Sequence, residues 1–285
     1  IASINQAKTM PSSIASKAFM KALYGKHPYG LPSSGEVESI KKIRKKDLHT
    51  FYKNHYLSNE LSIVIVGDVS RKNAEDLGNK ISLGFSERKI NAEIPSVDYV
   101  KRQEIEISHP AKQAHLYYGA PIIKRGDPDF LTLYLGNYIL GGGGFVSRLT
   151  QEIREDRGLA YSVYSYFMPF IEAGPFQIGI QTKKSQVKQA KELIQKTVAD
   201  FIKNGPTSNE LRRAKDFMIG GFPLRLDSNK KILEYVSMMA FYKYPLDYLE
   251  TFTRKIDKIT AEEIKSAFQR RVDMSKFSTV IVGSE

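Results

Sequence analysis

Apolar residues along this chain recur at two periods, and each change of period marks an element. Residues 11–24 (PSSIASKAFMKALY) put Ile14, Ala18 and Leu23 on one face behind an opening Pro, the pattern of a helix. Gly25-Lys26-His27-Pro28-Tyr29-Gly30 predicts a loop, because Pro and Gly both interrupt helical hydrogen bonding. A polar stretch over 33–46 leads into a helix carrying Leu48, Phe51, Tyr52 and Tyr56. LSIVIVGD at 61–68 is a short β-branched run closed by Gly67-Asp68, which predicts a buried strand, and a helix is expected over 71–82. Periodicity then lapses, and a linker is placed at 89–103. Alternation returns in EIEIS (104–108) and AHLYYGA (114–120), followed by a helix over 128–140. Past residue 167 come a strand in PFQIGIQT, helices near 184–203 and 207–220, helical pattern to about 271, and a closing STVIVG.

Part of this pattern is written twice. Gly283 lies 216 residues after Gly67, and with that offset Val280-Ile281-Val282-Gly283 falls on Val64-Ile65-Val66-Gly67 without a gap. Ile256, Ile259, Ile264, Phe268 and Val272 fall on Ile40, Ile43, Leu48, Tyr52 and Tyr56. A helix followed by a buried strand therefore closes two related units. The second unit has far more chain ahead of its copy than the first. The expected fold class is α+β: two homologous domains, each a mostly antiparallel sheet with helices packed on one face. Residues 1–88 are then the second half of a first domain truncated at its N-terminal half, and 104–285 a complete second domain.

Composition narrows the class. A chain of 285 residues can bury two cores, and no apolar run approaches the ~18 residues of a membrane span. With no cysteine, disulfides, thiolate zinc sites and cysteine nucleophiles are all excluded. The net charge of +12 raises the question of nucleic acid. However, Lys183, Lys184, Lys188, Lys191 and Lys196 are spread as on a solvated helix face, and KKIRKK (41–46) lacks interleaved aromatics. No nucleic-acid partner is expected.

The candidate chemistry gathers in residues 136–167. Four glycines, Gly141–Gly144, follow the apolar positions Leu133, Leu135, Ile139 and Leu140. An amphipathic segment comes next, with Val146, Leu149 and Ile153 on one face and Arg148, Glu152, Glu155 and Arg157 on the other. Gly158 stops it, and Tyr161, Val163, Ser165 and Phe167 then alternate with Ser162, Tyr164 and Tyr166 as in a strand. The glycines are not a phosphate cradle, since a helix precedes them and Phe145-Val146-Ser147 follows where a Gly-Lys-Ser/Thr would be needed. A hinge or tight helix–helix turn is expected instead. On the residues alone, Tyr161 either packs in the sheet or faces a ligand, and Arg154 either pairs with Glu155 or Asp156 or binds that ligand.

The helix, glycine hinge, helix and strand, with Arg154, Leu159 and Tyr161 in an R-x-x-x-x-L-x-Y spacing, resemble the insulinase/pitrilysin-type zinc peptidases, the family that includes the mitochondrial processing peptidases and bacterial zinc proteases. The resemblance extends from LYGKHPYG to the closing VIVG. It implies the processing-peptidase-like fold and makes Tyr161 and Arg154 the catalytic and substrate-binding pair. Tyr161 would donate to the carbonyl oxygen as it gains charge, and Arg154 would bind substrate or position Tyr161. Gly142 and Gly143 join them as backbone substrate contacts. In that family zinc is held by His-x-x-Glu-His on a helix of the first domain, completed by a later Glu. His27, His49, His55, His109 and His115 form no such spacing, so no metal is expected on this chain. Zinc is expected in the complete enzyme or on a partner.

The resemblance therefore implies a substrate-clamping portion of a zinc metalloendopeptidase, one half of a clamshell closing on a peptide or unfolded protein and inactive alone. Its partner is the missing N-terminal half or a zinc-bearing homologous subunit. The alternatives are a non-catalytic Arg/Tyr subunit of a heterodimeric protease, or a structural relative of respiratory-complex core subunits. A bacterial periplasmic or cell-envelope location follows from the resemblance alone.

Overall fold

The computed structural model describes residues 1–87, 93–98 and 100–284; of the expected linker, residues 89–92 and 99 lie outside them. The N-terminal segment carries helices α1 (Ala2–Ala7), α2 (Pro11–Tyr24), α3 (Val37–Ile40), α4 (Lys45–His55) and α5 (Arg71–Ser82). Strands β1 (Glu104–Ser108) and β2 (Gln113–Ile123) follow, then α6 (Phe130–Asn137), the short α7 (Arg148–Thr150), β3 (Ala160–Phe167) and β4 (Gly174–Lys183). Helices α8 (Val187–Asn204), α9 (Ser208–Gly220), α10 (Asn229–Phe241), α11 (Tyr248–Lys258) and α12 (Ala261–Arg271) lead to β5 (Ser278–Ser284).

Among the described residues these strands form one sheet in the order β1-β5-β2-β4-β3, with only β1 and β5 parallel. The α+β, mostly antiparallel architecture is the one the sequence predicts. Alternation along the central strands divides the apolar residues between two layers. Leu116, Tyr118, Phe176, Ile178, Phe277 and Ile281 face one way, into a core closed by Leu133 of α6, Ile194, Val198 and Phe201 of α8, and Ile264 and Phe268 of α12. Val280 and Val282 of β5 face the other way, against Ala15, Phe19, Ala22 and Leu23 of α2. The helices of the second unit thus cover one face of the sheet, as expected, and α2 of the N-terminal segment covers the other. The docking of α2 is pinned by polar contacts as well. Tyr24 Oη donates to the Ala173 carbonyl at 3.0 Å, and Tyr29 Oη accepts from the Glu172 N–H at 3.1 Å.

The sequence repeat is also a structural one. Shifted by 216, α4 coincides with α12, and the 3₁₀ turn at Ser58–Glu60 coincides with that at Met274–Lys276. Beyond those turns the two copies diverge. Residues 278–284 form β5, whereas 61–68 form no strand, and Ile63 and Ile65 are over a third exposed. This corrects the buried strand predicted there. The physical cause is pairing: β5 sits between β1 and β2, while no described strand lies beside 61–68 to satisfy its backbone groups. The same contrast holds for the helices, since Phe268 on α12 is fully buried and its counterpart Tyr52 on α4 is 50% exposed.

Candidate functional site

Close packing shapes the glycine run. At the end of α6 the chain widens into a π-helical turn over Tyr138–Gly142. A Cβ on Gly141 would lie 2.3 Å from Ser165 Oγ, and one on Gly142 would lie 2.7 Å from Asn137 Nδ2. A Cβ on Gly143 would meet the Tyr138 carbonyl at 2.6 Å. Gly141 and Gly142 let the turn lie directly on β3, and Gly143 lets it close on Tyr138. Gly144 acts differently, because its φ of +60°, with open space around it, reverses the chain. The run is therefore a tight turn between helical segments. Among the proposed substrate contacts, Gly142 has an exposed backbone, while the missing side chains of Gly142 and Gly143 face Asn137 and Tyr138.

Buried polar groups fix this turn to the sheet. Asn137 Nδ2 donates to the Ser165 carbonyl at 2.9 Å, and Ser165 Oγ donates to Asn137 Oδ1 at 2.6 Å. Thr150 Oγ1 reaches the Val163 carbonyl at 3.5 Å. β3 is an edge strand, so its outward carbonyls at 163 and 165 are taken by side chains, and that stretch of edge is closed to an added strand. Ser147, fully buried, ties the corner by bonding the Gly144 carbonyl at 2.8 Å and Thr150 Oγ1 at 3.0 Å.

Ser147 also stands at the N-cap position of the helical run that presents Arg154, without a side-chain bond to the helix N–H groups. That run begins as α7 and widens into a second π-helical turn over Gln151–Glu155. Gly158, at φ +60°, ends it, and a bulge between Ala160 and Ser162 resets the register of β3 against β4. The bulge turns Tyr161 outward, leaving it 78% exposed while Val163, Ser165 and Phe167 stay buried. Arg154 and Tyr161 come together, with the Arg154 Cζ 5.5 Å from the Tyr161 ring centroid and Nε 3.4 Å from Glu155. Of the two roles open on the sequence for Arg154, the pairing with Glu155 is seen, and the side chain also faces Tyr161. Tyr161 is not packed in the sheet.

Two positions depart from the amphipathic pattern. Val146, expected inward, is 63% exposed because it precedes the cap at Ser147 and lies outside the helix. Arg148, expected on the solvated face, is folded back: its Nε and Nη2 each lie 2.7 Å from a Glu210 carboxylate oxygen, and Nη2 also donates to the Gly205 carbonyl at 3.0 Å. Burial pushes the Glu210 carboxyl up, but hydrogen bonds from Arg148 and Thr207 outweigh it and bring it down to about 2. Phe145 is the residue the sequence did not single out. It is 64% exposed, and the Arg154 Cζ lies 4.5 Å from its ring centroid, closer than to Tyr161. The capping serine two residues later was the available signal that Phe145 and Val146 stand outside the helix.

The other aromatics divide. Phe167 stacks on Phe176 in the core at 4.3 Å, and Phe170 meets Tyr29 edge-on at 4.8 Å. Tyr164 and Tyr166 stack at 5.5 Å on the opposite face, where burial pushes the Tyr166 hydroxyl up to about 12. Three of the histidines have local partners. His27 accepts from the Tyr29 N–H and lies 2.8 Å from the Pro95 carbonyl, His55 packs on Phe51, and His109 accepts from the Ala111 N–H. Among the described residues no group of three or more His, Cys, Asp or Glu side chains is arranged to hold a metal ion, so the donor set does not fit zinc. Nor is any described helix long and apolar enough to cross a membrane.

Comparison with known proteins adds relatives to this geometry. The family model described as the peptidase M16 inactive domain matches residues 42–218. The chain is 30% identical over 276 residues to a Helicobacter pylori protein named non-peptidase homolog YmxG, with 95% of this chain and 63% of that protein covered. It is 32% identical over 222 residues to the uncharacterized zinc protease YmxG of Bacillus subtilis, covering 76% and 53%. The chain thus spans less than two thirds of the length of either. A crystal structure of a peptidase M16 inactive domain from Pseudomonas fluorescens is 37% identical and superposes with a TM-score of 0.95, covering all of this chain and 68% of that one.

Proposed function

The chain belongs to the peptidase M16 family, and from that premise we propose that it forms the metal-free, substrate-holding wall of a zinc metalloendopeptidase of that type. In the complete protein two such units close on a peptide or unfolded segment. Zinc, held outside the residues described here, supplies the hydrolytic chemistry. The observation that carries this function is the pose of the Arg154–Tyr161 pair: an exposed tyrosine and an arginine beside its ring, presented by a π-helical turn and a bulge at the sheet edge. Local irregularities of this kind are retained where they aim side chains at a ligand. Arg154 holds a backbone carbonyl of the peptide, and the Tyr161 hydroxyl donates to the carbonyl oxygen as charge develops on it.

A second reading is favoured by one relative. The Helicobacter pylori protein is named a non-peptidase homolog, which supports a non-catalytic subunit that holds substrate for a separate zinc-bearing chain. Both versions share the substrate-holding role of this surface. Fluorescence anisotropy with fluorescein-labelled casein, an unfolded polypeptide, tests that role directly. Arg154→Ala is expected to weaken binding, and unchanged binding would remove the basis of both versions. In the complete protein, Tyr161→Phe is expected to lower turnover while leaving thermal stability in place. Casein cleavage by the parent polypeptide alone marks the first version, and cleavage only after addition of a zinc-bearing chain marks the second.

A further inference from the structure

Phe145 and Val146 expose a large apolar surface next to Arg154, and the fold holds them there. Gly144 turns the chain at a φ that disfavours side chains, while buried Ser147 bonds back to the Gly144 carbonyl, so the corner between them has little freedom. Burying a phenyl ring would contribute to stability, yet Phe145 does not enter the core. The ring contact it makes is with the Arg154 guanidinium, at 4.5 Å.

Arg154 has few other constraints. Glu152 is engaged by Arg157, whose Nη1 lies 2.7 Å from both its carbonyl and its carboxylate. Asp156 accepts from Gln151 Nε2 at 2.7 Å. Glu155 approaches Nε at 3.4 Å, and among the described residues the two terminal nitrogens of Arg154 make no hydrogen bond. A planar guanidinium against an aromatic face keeps its N–H edge pointing outward, and its fork is suited to a carbonyl or carboxylate.

We propose that Phe145 is a positioning residue for Arg154: its exposed ring, together with that of Tyr161, sets the plane of the guanidinium and leaves the terminal N–H groups directed at a backbone carbonyl of a bound peptide. The proposal rests on the peptide-holding role proposed above. It predicts that Phe145 acts through Arg154 and not by touching the peptide itself.

The test is a double-mutant cycle on binding of fluorescein-labelled casein, with NMR of the Arg154 Nε–Hε group as a second readout. Phe145→Ala is expected to weaken binding about two- to five-fold, the range of an exposed cation–π contact. It should also remove the ring-current shift on the Arg154 side chain. Phe145→Leu, which keeps apolar bulk but has no π face, should behave like the alanine variant, and Phe145→Trp should restore both binding and the shift. In an Arg154→Ala background, Phe145→Ala should have no further effect. An equal loss in that background, or wild-type binding by Phe145→Leu, would show that the ring contacts peptide directly and would overturn the proposal. Loss on Arg154→Ala with none on Phe145→Ala also overturns it while leaving the peptide-holding role intact. No loss on Arg154→Ala brings down both.

Discussion

Replacing Glu210 by Gln isolates the ion pair that seats the Arg154-bearing turn. Arg148 opens that turn, and its guanidinium is held by both oxygens of Glu210, by the Gly205 carbonyl, and over the Phe201 ring at 5.0 Å. The Glu210 side chain keeps only 18% of its surface exposed. Its carboxyl is lowered from 4.5 to about 2, which as a linkage energy is about 3 kcal/mol. Residual solvent contact reduces that to roughly 2–3 kcal/mol. Glutamine keeps an acceptor for the Thr207 cap, so the charge is the main thing lost. The sign follows from the direction of the shift: a carboxyl lowered in the folded state stabilises above its unfolded value near 4.5, and that stabilisation disappears as pH falls toward 2. Urea unfolding followed by circular dichroism should give Glu210→Gln a deficit of roughly 2–3 kcal/mol at pH 7, shrinking to about 1 kcal/mol at pH 3. Adding Arg148→Met should cost much less in the Glu210→Gln background than alone, because the two side chains share one interaction. A deficit below about 0.5 kcal/mol at neutral pH, or one that stays constant on acidification, would refute the reasoning.

Other perturbations test the rest of the structure. Gly141→Ala drives a methyl into Ser165 and into Leu149 Cδ1, 2.7 Å from the built Cβ, and should cost about 1–3 kcal/mol in urea unfolding; a loss near zero would mean that the turn is not pressed onto β3. Phe268→Ala should cost about 3–5 kcal/mol, whereas Tyr52→Ala at the matching position of the first repeat should cost under ~0.5 kcal/mol, and comparable losses would contradict the exposure of α4. His115 is held below its ordinary 6.5 by burial and by the charge of His109, so its NMR titration midpoint should fall below 6.5 and its contribution to stability should be lost as pH drops through that value. After dialysis against zinc, elemental analysis of this chain should show no stoichiometric metal, and tight binding would mean that the histidine geometry has been misjudged.

How far the fold was legible depended on what each pattern needed from elsewhere. Helices such as Arg71–Ser82 and Ser208–Gly220 carry their own period and caps, and the sequence placed them within a residue or two. The VIVG runs show the limit. Both copies encode a strand equally well, and one of them is a strand because β1 and β2 lie beside it. Pairing is a property of the surroundings that no local pattern carries. The packing of α2 across the second face of the sheet was hidden for the same reason. Its apolar stripe announced that something would cover it, without saying what.

At the site, chemistry was easier to read than pose. The spacing of Arg154 and Tyr161 survives into the structure as a contact because one short turn and a glycine stop join the elements that carry them. The register shift that turns Tyr161 outward lies in pairing with β4, so alternation alone placed it on the buried face with Val163. Phe145 was hidden by its own chemistry: an aromatic beside an amphipathic helix reads as core. Only Ser147, as the cap, says that the helix has not yet begun. An exposed aromatic held between a constrained glycine and a buried serine is unfavourable as packing, and it becomes intelligible when the group it faces is the one cation in the turn whose terminal nitrogens are left free among the described residues.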